Sequence, residues 1–269
     1  MRSSLRTRRL DPTIYPVEEK VGEHILQRWI AESLRPALER WLAARGRLAL
    51  VGADQFIYYK QHDPHCRVSP DVYVLPGVPP DTEVSVWKLW ERGIPPSFCL
   101  EVVSRDWEKD YCEAPERYTA VGATELVIFD PVWMDRPEGL RWQVYRLLPR
   151  RGFVRVETTN GDRVRARTLG CWLRAVGNGM ALRLRIATGP RGDDLVPTIE
   201  EGELAARQAE QAARAAERMA REAEQAAREA EQTAMASAQA ERAAKEAALS
   251  RIAELEAKLS ARIRTRRPR

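Results

Sequence analysis

Residues 99–104 read CLEVVS, and residues 69–74 read SPDVYV. Each fragment sets one acidic residue in a run of β-formers: Asp71 opens DVYVL and Glu101 interrupts FCLEVV. The Val, Tyr, Phe and Leu content of both runs predicts strands. Two explanations of the carboxylates stand side by side. Asp71 follows Pro70, a turn context, and a Glu in a strand can face solvent by simple alternation. If the two strands are instead neighbours, both carboxylates converge on one end of a sheet. Two hard oxygen donors there suit Mg²⁺ or Mn²⁺. Such an ion polarises a phosphodiester and activates a water, and a lysine nearby would stabilise the developing charge or take the proton.

Outward from these runs, helical and strand patterns alternate. VGEHILQRWIAESLRPALERWLAA has apolar residues at Ile25, Leu26, Trp29, Ile30, Leu34, Leu38 and Leu42, a helical spacing, with Pro36 as a kink or break. LALVGADQFIYY predicts a strand or a hairpin pair around Gly52. DWEKDYCEAPERYTAVG is helical in tendency despite Pro115, ELVIFD is a buried strand, and RWQVYRLL with GFVRVE predicts a hairpin. The order gives a mixed α/β core.

The composition changes near residue 190. All eight Trp, seven Tyr, four Phe and three His precede it. GPRGDDLVPT then reads as a linker, and an Ala, Glu, Arg and Gln tract follows. In sevens from Ala206 the tract reads ARQAEQA, ARAAERM, AREAEQA, AREAEQT. Small or apolar residues recur at spacings of 3 and 4, a heptad seam. It resumes one position out of register through Ala248, Ile252, Leu255 and Leu259. A helix of about 60 residues would be about 90 Å long. The expected division is a basic N-terminus over 1–14, a domain over 15–190, a linker over 191–202, a helical tail over 203–264 and a basic end over 265–269. The tail predicts a homo-oligomer of coiled-coil type, with a lone solvated helix as the alternative.

The net charge of +5 is compatible with a polyanionic partner. Arginines crowd both ends, at Arg2, Arg6, Arg8 and Arg9 and again from Arg262 to Arg269, and read as solvated tails. The four cysteines form no CxxC pair. No apolar run reaches the roughly 20 residues that span a bilayer, and MRSSLRTRRL is no signal peptide, so a cytoplasmic setting with no membrane partner is expected. Trp87 and Trp90 read as packing residues at helical spacing. His62, His65 and Cys66 are zinc-ligand types without a matching second pair. No phosphate-binding loop, dinucleotide fingerprint or nucleophile elbow is present.

The stretches ALVGADQFIYYKQHDPHCRVSPDVYVLPGV and VWKLWERGIPPSFCLEVVSRDWEKDYCEAPERYTAVGATELVIFDP resemble the Uma-type family of restriction endonucleases, a bacterial branch of the PD-(D/E)XK nuclease superfamily. The resemblance runs from about Tyr15 to about Leu184, and the helical tail also resembles members of that family. It implies a restriction-endonuclease-like fold, a mixed sheet flanked by helices, followed by the long helix. The implied activity is Mg²⁺- or Mn²⁺-dependent hydrolysis of DNA. Asp71 and Glu101 would be metal ligands, Val102 would lend its carbonyl, and Glu23 would assist through water. A histidine often seen on the first helix falls at Gln27 in one register, with His24 as the nearby candidate. The superfamily lysine two residues after the Glu falls at Val103. In this branch it is expected one turn before Tyr118, where Ala114 stands. Lys109 is the substitute this reading selects over Arg105 and Arg117. Because Ala114 cannot stabilise charge or hold a proton, the alternative is a catalytically degenerate nucleic-acid-binding or scaffolding protein, oligomerised by its tail.

Overall fold

The computed structural model describes residues 13–16, 25–104, 107–137 and 139–265. Helix α1 spans Ile25–Ala43 and runs through Pro36 without ending there. Its apolar residues Leu26, Ile30, Leu34, Leu38 and Leu42 are buried, as their spacing requires. Strands β1 (Ala49–Gly52), β2 (Phe56–Tyr58), β3 (Arg67–Val68) and β4 (Val72–Pro76) follow, then β5 (Val86–Lys88), helix α2 (Leu89–Arg92) and β6 (Phe98–Val102). Helices α3 (Trp107–Cys112) and α4 (Ala114–Val121) lead into β7 (Glu125–Phe129), β8 (Trp142–Leu148) and β9 (Gly152–Thr159). Four further strands, β10 (Arg163–Ala166), β11 (Cys171–Val176), β12 (Arg183–Thr188) and β13 (Asp194–Leu195), precede the last helix, α5 (Ile199–Thr265).

The central sheet has the order β1-β4-β6-β7-β8-β9. The strands carrying DVYVL and FCLEVV are therefore neighbours, antiparallel, with Val72 opposite Leu100. The parallel pair β6–β7 needs a crossover, and α3 and α4 supply it. Both faces of the sheet are covered, which is why its inner strands read as continuous apolar runs. One face packs against α1 and the inner side of the β10–β13 sheet, through Val72, Leu100, Val127 and Phe129. The other packs against α4 and the β3-β2-β5 sheet, through Tyr73, Cys99, Leu126 and Ile128.

The hairpin alternative at Gly52 does not form. β1 pairs with β4 and β2 joins a different sheet. Gly52 is needed for space: the Tyr73 ring on its partner strand occupies the position of a Cβ. Trp87 lies on a strand and Trp90 on the helix after it, so their three-residue spacing is not a helical one. Pro115 sits in the first turn of α4, where its missing N–H would have had no helical partner. At the other end of α4, Gly122 takes φ 77°, a left-handed cap that turns the chain toward β7.

The chain divides into two units, Met1–Val196 and Pro197–Arg269. The segment expected as a linker over 191–202 is partly ordered. Asp194 and Leu195 pair with β12, and α5 begins at Ile199 rather than at 203. The early start has a local cause in a capping box. The Thr198 hydroxyl accepts from the Glu201 N–H at 3.2 Å, and the Glu201 carboxylate accepts from the Thr198 N–H at 2.9 Å. Along α5, Arg214, Arg221 and Arg228 pair with Glu210, Glu217 and Glu224, one pair per heptad. Among the described residues no helix is long and apolar enough to cross a membrane.

Candidate metal centre

The β4–β6 ladder ends at Val72 opposite Leu100, which sets Asp71, the residue before β4, at the same end of the sheet as Glu101. Asp71 takes the place of a strand partner there: its Oδ2 accepts the Val102 N–H at 2.6 Å. Oδ1 accepts from Gln27 Nε2 of α1 at 2.8 Å. The carboxylate is 3% exposed. Burial pushes its pKa up to about 8; the Val102 N–H opposes the rise, the charge of Asp54 adds to it, Gln27 opposes it, and the charge of Asp110 adds to it. The loop bearing Asp54 is tied to this point by the Asp54 N–H, which donates to the Pro70 carbonyl at 3.0 Å.

Glu101 is half-buried and accepts a short hydrogen bond from the Tyr118 hydroxyl of α4. Burial and the Glu101 charge push the Tyr118 phenol well above its ordinary value, so it stays a neutral donor. Beyond β6, the N–H and hydroxyl of Ser104 both donate to Asp110 Oδ2, at 2.8 and 2.9 Å. Arg136 donates to the Ser104 carbonyl at 2.7 Å and pairs with the fully buried Asp130 at 3.1 Å. Tyr111 of α3 donates to the same Asp130 carboxylate at 2.9 Å. These bonds hold the ends of β6 and β7 and the start of the crossover in one arrangement.

A third strand carboxylate shows what a structural answer looks like. Glu125, wholly buried at the start of β7, is met by the Arg146 guanidinium at 2.6 Å. It also accepts from the N–H groups of Arg167 and Thr168 and from the Thr168 hydroxyl. Asp71 is held differently: among the described residues the hydrogen bonds on its oxygens come from two neutral amides, and acidic groups stand nearby. A buried carboxylate so placed is neutralised either by a proton, as its raised pKa shows, or by a cation. Among the described residues no three His, Cys, Asp or Glu side chains group as metal ligands. Two carboxylates with waters are nonetheless a common donor set for Mg²⁺, so the pair fits that ion.

Of the residues anticipated from sequence, Asp71, Glu101 and Val102 are brought together. The Val102 N–H, not its carbonyl, is the group that touches Asp71. Gln27 stands on the first helix against Asp71, whereas Glu23 and His24 lie outside the described residues. Lys109 has its backbone in α3, and its side chain lies outside the described part, as does Arg105. Arg117 pairs with Glu113 at the surface. Ala114 is buried one turn before Tyr118 in the cluster behind the sheet. In the 60–66 loop Asp63, not the histidines, is the organising group. It takes bonds from the Cys66 thiol, from Lys60 and from the His65 N–H, and these hold its carboxyl down at about 2. Sequence reasoning missed Asp54, Asp110, Asp130 and Arg136, which meet the site only through tertiary contacts.

A family model, Uma2, described as "Putative restriction endonuclease", matches residues 10–176. The chain belongs to this family. The Uma2 match contains Asp71, Glu101 and the whole central sheet, and ends before β12 and α5. A solved structure from Anabaena variabilis, described as a putative nuclease belonging to DUF820, aligns with a TM-score of 0.39 and 14% identity, over 55% of this chain and 74% of that one. No curated protein matches.

Proposed function

We propose that this Uma2 protein is a divalent-metal-dependent endonuclease that hydrolyses DNA phosphodiester bonds. The observation that carries the reading is the Asp71 carboxylate, buried at the same end of the sheet as Glu101, held by two neutral donors and without a guanidinium or ammonium on either oxygen among the described residues. Asp71 and Glu101 would hold the ion, with the Val102 carbonyl as a further oxygen donor. Bound there, Mg²⁺ or Mn²⁺ supplies Lewis-acid polarisation of a phosphoryl oxygen and a lowered pKa for a bound water.

The chain's own residues do the positioning. Gln27 and the Val102 N–H fix both oxygens of Asp71, so its carboxylate plane is set before an ion enters. The Tyr118 phenol fixes Glu101 in the same way. Glu23, on the segment before α1, is proposed as a water-holding carboxylate, and Lys109 of α3 as the amine that stabilises charge on the cleaved phosphate or takes the proton of the attacking water. The tail is proposed to join copies of the chain, so that two sites can address the two strands of a duplex.

One observation favours a second reading, a nucleic-acid-binding or scaffolding protein without turnover. Ala114 puts a buried methyl where the family resemblance expects the amine. Nicking of supercoiled plasmid separates the two. The nuclease reading expects Mg²⁺- or Mn²⁺-dependent nicking that is lost in Asp71→Asn and falls at least about 100-fold in Lys109→Ala. Wild-type inertness together with nicking by Ala114→Lys would establish the second reading instead.

A further inference from the structure

The alternation of β10–β12 buries Val164, Ala166, Leu173, Ala175, Leu184 and Ile186 against the core. It therefore turns Arg163, Arg165, Arg174, Arg183 and Arg185 to the opposite face, where each is half-buried. Register sharpens the pattern. Arg163 lies opposite Arg174, and Arg174 opposite Arg185, a row of three guanidiniums across three adjacent strands. Like charges directly opposed destabilise a sheet. Part of the row is answered from the sheet margin: Asp162 contacts Arg163 at 2.7 Å and Arg174 at 2.8 Å, and Asp193 contacts Arg163 at 2.8 Å. The segment as a whole nonetheless keeps an excess of positive charge. Residues 161–196 carry seven Arg, no Lys and no Glu against three Asp, which leaves +4 of the chain's net +5 in this segment.

Two of these arginines lie over indole rings. The Arg165 guanidinium is 5.6 Å from the Trp172 ring centre, and that of Arg183 is 5.1 Å from Trp29. A guanidinium seated on a ring is held in place while its N–H edge can still bind an anion. We propose that this arginine face docks the phosphate backbone of duplex DNA and so holds the substrate. Charge complementarity selects the occupant: Arg163, Arg174 and Arg185 also donate to acceptors within the sheet and set its positive field, and the ring-seated guanidiniums of Arg165 and Arg183 suit phosphate oxygens. The inference rests on the nuclease reading for its choice of polyanion, and it adds a surface on a different sheet from Asp71 and Glu101.

The test is fluorescence anisotropy of a labelled DNA duplex with the full chain, in EDTA, over a range of salt. The Arg165→Gln/Arg183→Gln protein is expected to bind at least about 10-fold more weakly, and its slope of log K against log salt is expected to be shallower by about two. The Arg165→Lys/Arg183→Lys protein is expected to retain binding within about threefold. Both variants keep the basic chain ends, so those ends cancel in the comparison. Equal affinity and slope for the Gln protein would overturn the inference. So would a Lys protein that melts like the wild type yet loses as much affinity as the Gln protein. The metal centre is judged separately. Asp71→Asn is expected to bind the duplex as the wild type does and to lose nicking. Nicking that survives in it refutes the metal centre and leaves the docking result standing.

Discussion

Asp71 and Glu125 are both strand-edge carboxylates with almost no exposure, yet their surroundings differ in kind. Glu125 meets a guanidinium, and Asp71 meets two amides with acids nearby. The consequence for the metal-free protein is a pH dependence whose sign is fixed. The folded-state pKa of Asp71 stands at about 8, above the ordinary value of 3.8. Between those values the folded chain holds a proton that the unfolded chain releases. The contribution to stability is therefore full at low pH and is lost as pH rises toward and through about 8. Asp71→Asn lacks this dependence and can keep both hydrogen bonds if the Gln27 amide turns over. In EDTA, the Tm of the wild type is expected to fall relative to that of Asp71→Asn by several degrees from about pH 5 to about pH 9. A constant difference across that range would remove the electrostatic account of Asp71. Tyr118→Phe deletes the donor that orients Glu101 and leaves a buried ring of nearly the same volume. It is expected to cost about 1 kcal/mol of stability and to lower the nicking rate about 10-fold or more. Unchanged nicking would show that Glu101 needs no such support. Asp71 and Glu101 were legible because one opens and the other interrupts a run of β-formers. Gln27 was reached only through the family resemblance, and Asp110 and Asp130 not at all, because helical or strand periodicity says nothing about which polar residue a distant segment will meet.

At the scale of elements, the Glu125–Arg146 pair joins the sheets. Arg146 also donates to the Arg165 carbonyl at 2.6 Å, so β7, β8 and the β10–β11 region share one buried polar junction. Removing one partner leaves an uncompensated buried charge, and Arg146→Ala is expected to cost about 3–5 kcal/mol by denaturant unfolding. A loss below about 1 kcal/mol would mean that the junction is not buried as described. Most elements were readable from pattern: the five-residue strands from runs rich in β-formers, α1 from its apolar spacing, the β8–β9 hairpin from its two runs. The misreadings cluster at short elements. Trp87 and Trp90 straddle a strand-to-helix boundary, and Gly52 looked like turn punctuation because the ring of Tyr73, which it accommodates, lies on another strand. The capping box at Thr198 and Glu201 was visible as a Thr-x-x-Glu spacing but lay within a stretch dominated by Gly, Pro and Asp.

For the whole molecule, the 67-residue α5 carries its glutamate–arginine pairs on a heptad schedule, with Ile252, Leu255 and Leu259 exposed along the chain. A lone helix gains little from such residues, whereas a second copy would bury them at roughly 1.5–3 kcal/mol each. Sedimentation of the full chain is expected to show an oligomer, and Leu255→Lys/Leu259→Lys is expected to sediment as a monomer. A wild type that is monomeric at micromolar concentration would end the proposal that the tail joins copies.

The central claim is that Asp71 and Glu101 together hold a divalent ion, and calorimetric titration of the full chain with Mn²⁺ near pH 8 tests it without requiring turnover. The account predicts one site per chain in the wild type, weakened at least about 10-fold in Glu101→Gln and absent in Asp71→Asn. Mn²⁺ binding of the same strength in all three proteins, or none in the wild type, would contradict it.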